Sequence, residues 1–199
     1  LKSVDEIDLL TWYELADDRK LKQTEQAKKI TKVAASLFAQ KGYNGVGVAE
    51  IGAASGFGRG TLYHHIESKE DLLHEIASQY ISDLVQSGHR IAIEYPDPVQ
   101  RLKALSRHLM AVISSSLAEI VVCFREVQSL TGSRHHDVMC MHAEYQQIWS
   151  KTIEEGVQQN VFREVDKIAV KGLLGMYFYS CLWLKPDGLQ SPEDIGDVF

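Results

Sequence analysis

Cysteine is scarce in this sequence and has no evident partner. Only Cys123, Cys140 and Cys181 occur among 199 residues. An odd number, wide spacing and the lack of any CxxC pair exclude a disulfide framework and point to a reducing cytosol. Long apolar runs are also missing. The closest, Gly172 to Leu184, is too short to span a bilayer, so no membrane partner is expected. The N-terminus lacks a basic region followed by an apolar run, so the expectation is no secretory signal and a cytoplasmic location. Strand-type alternation and internal repeats are absent, which leaves an all-α fold. The chain carries no GxSxG elbow, HExxH pair, GxxxxGK[ST] loop or GxGxxG after a strand. Gly56-Phe57-Gly58-Arg59-Gly60 imitates a phosphate loop but has no strand before it. No enzyme activity and no cofactor are expected.

What is present is an ordinary globular composition, 45% hydrophobic and 24% charged, with charge unevenly placed. The net charge of -6 argues against a protein that coats nucleic acid nonspecifically. Residues 1–18 carry net -5, residues 19–75 net +3 and residues 76–199 net -4. A locally basic segment on an acidic body fits a DNA-reading head joined to a different kind of domain.

Residues 1–20 form an acidic arm that still contains Leu9, Leu10, Trp12 and Tyr13, and its role is not legible. From Gln23 to Lys41 the apolar residues Ala27, Ile30, Val33, Ala34, Leu37 and Phe38 recur at helical spacing, with Gly42 as the left-handed stop. Lys28, Lys29 and Lys32 fall on other faces, as a solvated helix surface would have them. Val48, Ile51 and Ala54 should bury the next helix, Gly56 should make a sharp turn, and Phe57 should plug the angle. Leu62 and Ile66 face inward on the following short helix, leaving Arg59, Thr61, Tyr63, His64 and His65 less constrained. Ser68 with Glu70 and Asp71 caps a long helix that should run towards Gly88. Further helices are expected from Asp97-Pro98, over 118–130, from about Arg134 towards Gln159, from about Asp166 to Leu184, and after Ser191-Pro192. Two short helices joined by a glycine turn make a helix-turn-helix, whose second helix enters the DNA major groove.

The stretch from Ile30 to Leu72 resembles the TetR family of transcriptional repressors. Gly42, Tyr43, Val48, Ile51, Gly56 and the run GTLYHHIESKEDLL carry the likeness. The resemblance implies a three-helix DNA-binding domain (21–68) and a helical effector-binding and dimerisation domain (69–199). By position, Arg59 is a candidate for a bidentate base contact or a phosphate contact. Gly60 would allow close approach to the DNA backbone, and Thr61 would touch a thymine methyl or a phosphate. Tyr63 and Lys69 resemble the family's phosphate contacts, and His64 is placed to reach a phosphate. Gly47 and Gly58 stand where the family usually has hydroxyl caps, and Gly52 and Ser55 replace alanines. Glycine caps supply no hydroxyl to phosphate, so the grip rests more on the other contacts.

The C-terminal half more loosely resembles TetR members that control lipid or steroid breakdown and respond to acyl-CoA thioesters, through residues 144–166 and 180–188. That implies a homodimeric repressor on a palindromic operator, joined through its last two long helices and released by a small apolar effector. The leading effector is an acyl-CoA or related lipid thioester. A hydrophobic drug-like ligand and, last, a helical enzyme acting on a CoA thioester are the alternatives. Residues 172–184 are apolar nearly all round and must be buried in a core or an oligomer interface. Candidate effector contacts are Phe124, Gln128, Tyr145, Trp149, Tyr177 and Cys181, with Arg125 beside them. Ordinary packing is the competing fate of each aromatic. His135, His136, Cys140 and His142 suggest metal ligands, but His142 points elsewhere on the helix, no clear fourth ligand with compact spacing remains, and no metal site is expected.

Overall fold

A computed structural model describes residues 25–185, 188 and 190–198, without the side chains of Arg59, Thr61, His64 and Lys167. The acidic arm at 1–20 lies outside the described residues. Among those described, the regular structure is entirely helical: α1 (Glu25–Lys41), α2 (Val48–Ser55), α3 (Arg59–His65), α4 (Lys69–Glu94), α5 (Pro98–Ser115), α6 (Leu117–Glu126), α7 (Gly132–Gln158), α8 (Lys167–Tyr179) and α9 (Pro192–Val198). Single 3-10 turns follow α6 and α8.

The head is built from α1 to α3. Ile30, Ala34, Ala35 and Phe38 of α1 pack with Val46, Ile51, Leu62 and Ile66 in one buried cluster. Gly42 and Gly56 both adopt positive φ (76° and 77°), the conformation that lets the chain reverse after a helix without a Cβ clash. One inward residue differs from expectation. Ala54 is exposed, and Ser55 is buried instead, its hydroxyl donating to the Gly52 carbonyl at 3.0 Å. Gly52 is buried because a Cβ there would meet the Phe57 carbonyl and Leu62 at 3.3 and 3.4 Å, which sets how closely α2 and α3 approach.

The junction between head and body is the start of α4. Ser68 and Asp71 form a reciprocal capping box: the Ser68 hydroxyl accepts from the Asp71 N–H, and the Asp71 carboxylate accepts from the Ser68 N–H. Gly88 does not stop this helix. It sits inside α4, which continues to Glu94 and ends before Pro96. The reason is packing. Helices α4 and α7 run parallel, with Asp71 beside Arg134, Tyr80 beside His142, and Gly88 against Ile148 and Tyr145. A Cβ at 88 would stand 2.9 Å from Ile148 Cδ1, so glycine there permits the close crossing.

The apolar stretch at 172–184 is covered on one face only within the single chain. One face, Val170, Leu174, Tyr177, Cys181 and Leu184, is buried in the body. The opposite face is open in the single chain, with Ile168 74%, Met176 51%, Tyr179 56% and Trp183 47% exposed.

Candidate DNA-binding surface and effector core

The short helix α3 is held from behind and open in front. Leu62 and Ile66 anchor its inner face, while Tyr63 is about half exposed. Gly58 and Gly47 are the N-caps of α3 and α2, and neither end has a side-chain cap, as the glycines require. A Cβ at Gly58 or Gly60 would meet nothing within 4 Å, so both lie on an open flank of α3. The side chains of Arg59, Thr61 and His64 are outside the described set; their backbone forms the first two turns of α3. His65 pairs with the Gln26 side chain at 3.1 Å, which ties α3 to the start of α1. Lys29 lies over the Phe57 ring at 5.3 Å, beside the glycine turn.

Lys69 has a different setting from the one its position suggests. Its ammonium donates to the carbonyls of Tyr43 and Val46 at 2.9 and 3.1 Å and lies 4.2 Å over the Tyr43 ring. These bonds clamp the loop between α1 and α2. Lys69→Met is expected to lower stability by about 1–2 kcal/mol. It should leave the slope of log Kd against log salt unchanged, whereas loss of a direct phosphate contact would reduce that slope by about one. Denaturant titration and salt-dependent anisotropy read the two effects separately.

Further contacts hold the head and the start of α4 against the rest of the body. The Glu126 carboxylate, at the end of α6, accepts from the Tyr43 N–H at 3.2 Å. Glu70, in the first turn of α4, accepts from the Thr131 N–H and hydroxyl at 2.8 and 2.9 Å. Arg134 of α7 pairs with both Glu70 and Asp71. Sequence reasoning missed Glu126, Thr131 and Arg134. Their partners lie 83, 61 and 63 residues away, so no local pattern marks them.

The Thr131 hydrogen bonds, backbone first, hold the Glu70 carboxyl below its ordinary pKa, with Arg134 adding to the effect. A lowered carboxylate pKa means the contact is intact above the ordinary carboxylate range and is lost as pH falls through the lowered value. Thr131→Val is expected to move the Glu70 titration midpoint upward. A carboxyl-carbon NMR titration checks this, and an unchanged midpoint would count against it.

The proposed effector residues divide into two groups. Tyr145, Trp149, Tyr177 and Cys181 are buried. The Trp149 ring centroid lies 6.3 Å from that of Tyr145 and 5.3 Å from that of Tyr177, and the Tyr177 hydroxyl bonds Ser106 Oγ at 2.6 Å. Phe124 and Gln128 do not join them. Both are exposed: Phe124 because Ile120, Val122 and Cys123 take the inner face of α6, and Gln128 in the 3-10 turn that follows it. Arg125 is exposed too and reaches the Ala39 carbonyl of the head at 3.5 Å. Tyr80, His142 and Phe178 extend the aromatic cluster. Burial pushes the Cys123 thiol up to about 12, so it stays protonated and unreactive. His136 and Cys140 meet at 3.5 Å on the exposed face of α7. Among the described residues no group of three or more His, Cys, Asp or Glu side chains is placed to hold a metal ion. No described helix is long and apolar enough to cross a membrane.

Comparison with known proteins agrees with this anatomy. Residues 30–76 match the family model of the bacterial regulatory proteins of the tetR family. Residues 95–199 match that of the tetracyclin repressor-like C-terminal domain. The HTH-type transcriptional repressor KstR2 of Rhodococcus jostii is 28% identical over 187 residues, covering 92% of this chain and 91% of the relative. Among solved structures, AibR in complex with isovaleryl coenzyme A and operator DNA is 30% identical, with a TM-score of 0.77 over 87% of this chain and 95% of that one. The TetR family regulator PfmR from Thermus thermophilus is 29% identical, with a TM-score of 0.79 over 85% and 93%. A helix-turn-helix head on a helical body, matched along both parts, places this chain in the TetR family as a ligand-responsive, DNA-binding transcriptional repressor.

Proposed function

We propose that the protein works as a homodimer on a palindromic operator, with residues 21–68 reading DNA and residues 69–199 pairing and sensing. The observation that carries this reading is the presentation of α3. Its inner face is locked by Leu62 and Ile66, its outer face is open, and the capping box at Ser68 fixes it to a helix that continues into the body. Arg59 at its first turn reads a base edge or a phosphate, Gly60 admits the DNA backbone, and Thr61, Tyr63 and His64 complete the contact surface. Lys69 acts one step back, by holding the loop that supports α2.

Two heads must be spaced about 34 Å apart to meet successive half-sites. The open apolar face of α8, together with the outer face of α7, supports a two-fold four-helix interface that sets this spacing. Effector binding in the aromatic core of the body favours a state with a different head spacing. The two states differ in affinity for DNA, and that difference is the regulatory signal. Glu126, Thr131 and Arg134 are the contacts through which the body moves the head. A lipid thioester is the effector class favoured here, supported by the likeness to AibR, which was solved with isovaleryl coenzyme A.

The test is fluorescence anisotropy with DNA from upstream of the protein's own gene. Arg59→Ala is expected to weaken binding by about 1–3 kcal/mol, roughly 5- to 150-fold. No salt-dependent retention of any palindrome, with Arg59→Ala without effect, would refute the reading. Thermal shift against a panel of CoA esters tests the effector class, and stabilisation by none of them would remove it.

A further inference from the structure

We propose that the acidic run of this chain's own arm, Asp5 to Asp18, docks in a basic groove along α1 and competes there with DNA. The groove is open, about 510 Å³, and is lined by Glu25, Gln26, Lys28, Lys29, Lys32 and Phe57. Among the described residues Lys29 and Lys32 have no carboxylate partner, and Lys28 has only the exposed Glu25, at 3.5 Å. Phe57 gives the groove an apolar floor. It is half-buried against the core of the head, with the Lys29 ammonium 5.3 Å from its ring centroid. The site therefore offers surplus positive charge around one aromatic ring.

A phosphate backbone would use the lysines and leave Phe57 idle, whereas the arm supplies both halves of the match. Asp5, Glu6, Asp8, Glu14, Asp17 and Asp18 bring six carboxylates against Lys2 alone, with Leu9, Leu10, Trp12 and Tyr13 among them. The covalent connection is long enough to reach and short enough to favour the contact. Asp18 precedes Glu25 by seven residues, at most about 25 Å of chain. Lys32 stands about 10 Å along the axis of α1 from Glu25. Such a tether holds the two at high effective concentration, so exposed ion pairs that contribute little singly can act together. The groove also borders α3. Gln26 pairs with His65 of that helix at 3.1 Å, and Phe57 directly precedes Gly58, its N-cap. Carboxylates docked here repel phosphates that approach the start of α3. Arm and DNA therefore compete for one basic surface; this consequence, unlike the docking itself, rests on the DNA-reading surface assigned above.

Fluorine NMR of the full chain labelled with 5-fluorotryptophan tests the docking. The chain has three tryptophans, Trp12, Trp149 and Trp183, and Trp12→Phe assigns the arm's line. At low salt a Lys29→Gln, Lys32→Gln double variant is expected to move the Trp12 line to its high-salt position. The Trp149 and Trp183 lines should stay in place, which also reports an intact fold. Duplex DNA from upstream of the protein's own gene should move the Trp12 line in the same way. By anisotropy, a Glu14→Gln, Asp17→Asn, Asp18→Asn triple variant should bind that duplex about 10-fold tighter than the wild type at low salt. A Trp12 line indifferent to both salt and the lysine changes overturns the docking. If those lysine changes weaken DNA binding as well, the groove belongs to the DNA backbone instead. A Trp12 shift without tighter DNA binding by the triple variant keeps the docked arm and removes the competition. DNA binding by none of the proteins removes the reading of α3, while the Trp12 line still decides the docking.

Discussion

A Met176→Lys, Tyr179→Glu double variant is expected to sediment as a monomer and to bind operator DNA about 100-fold or more weakly, because linking two heads contributes that much avidity without new contacts. Both side chains point out of the chain's own core, and each is more than half exposed. The inward residues of the same helix, Val170, Leu174 and Tyr177, stay untouched. Gly172 and Gly175 lie on the open side as well, where a Cβ would meet nothing within 4 Å, so a partner helix has room to approach closely. The variant should therefore keep its helical circular dichroism while losing self-association. A protein that stays dimeric and DNA-bound after this change pairs through some other surface.

The second large effect is expected at Gly88. Gly88→Leu should destabilise the fold by about 3 kcal/mol, the upper end of what overpacking a filled contact usually costs. The space is already taken, with Ile148 at 2.9 and 3.5 Å and Tyr145 at 3.4 Å from where a Cβ would sit. Alanine is milder, since it recovers about 1 kcal/mol of helix propensity relative to glycine and meets first the flexible tip of Ile148. Denaturant unfolding of the Ala and Leu variants should give a small and a large loss respectively. Equal stability of the Gly88→Leu variant and the wild type would mean that α4 and α7 do not cross at this point. Because Tyr145 lines the same crossing, the Leu variant should also disturb the effector core.

The head was almost fully legible from sequence. Its signals are short-range: apolar spacing in α1, two positive-φ glycines, and a serine–aspartate cap at α4. The all-α body and most of its helix limits followed from the same kind of evidence. Gly88 misled because a glycine late in an amphipathic run reads as a stop, and only the neighbouring helix explains it. Ala54 and Ser55 exchanged places because both are small enough for either face, and the buried hydroxyl found its acceptor one turn back. Phe124 was drawn into the effector core as one of a cluster of aromatics and Gln128 because its helix could border a cavity, and neither ground fixes which side chains turn inward. Lys69 has a setting that reasoning by position does not foresee. Its ammonium is claimed by two carbonyls from residues more than 20 positions earlier, a tertiary event with no local trace.

The central claim is that one dimer holds one palindrome and lets go when its body is filled. Sedimentation velocity of the protein with a labelled operator duplex, with and without a CoA thioester that stabilises it thermally, tests this in one experiment. The account predicts a single complex of two chains per duplex that dissolves on adding the thioester while the protein stays dimeric. A one-chain complex, or a two-chain complex indifferent to every stabilising ligand, would contradict it.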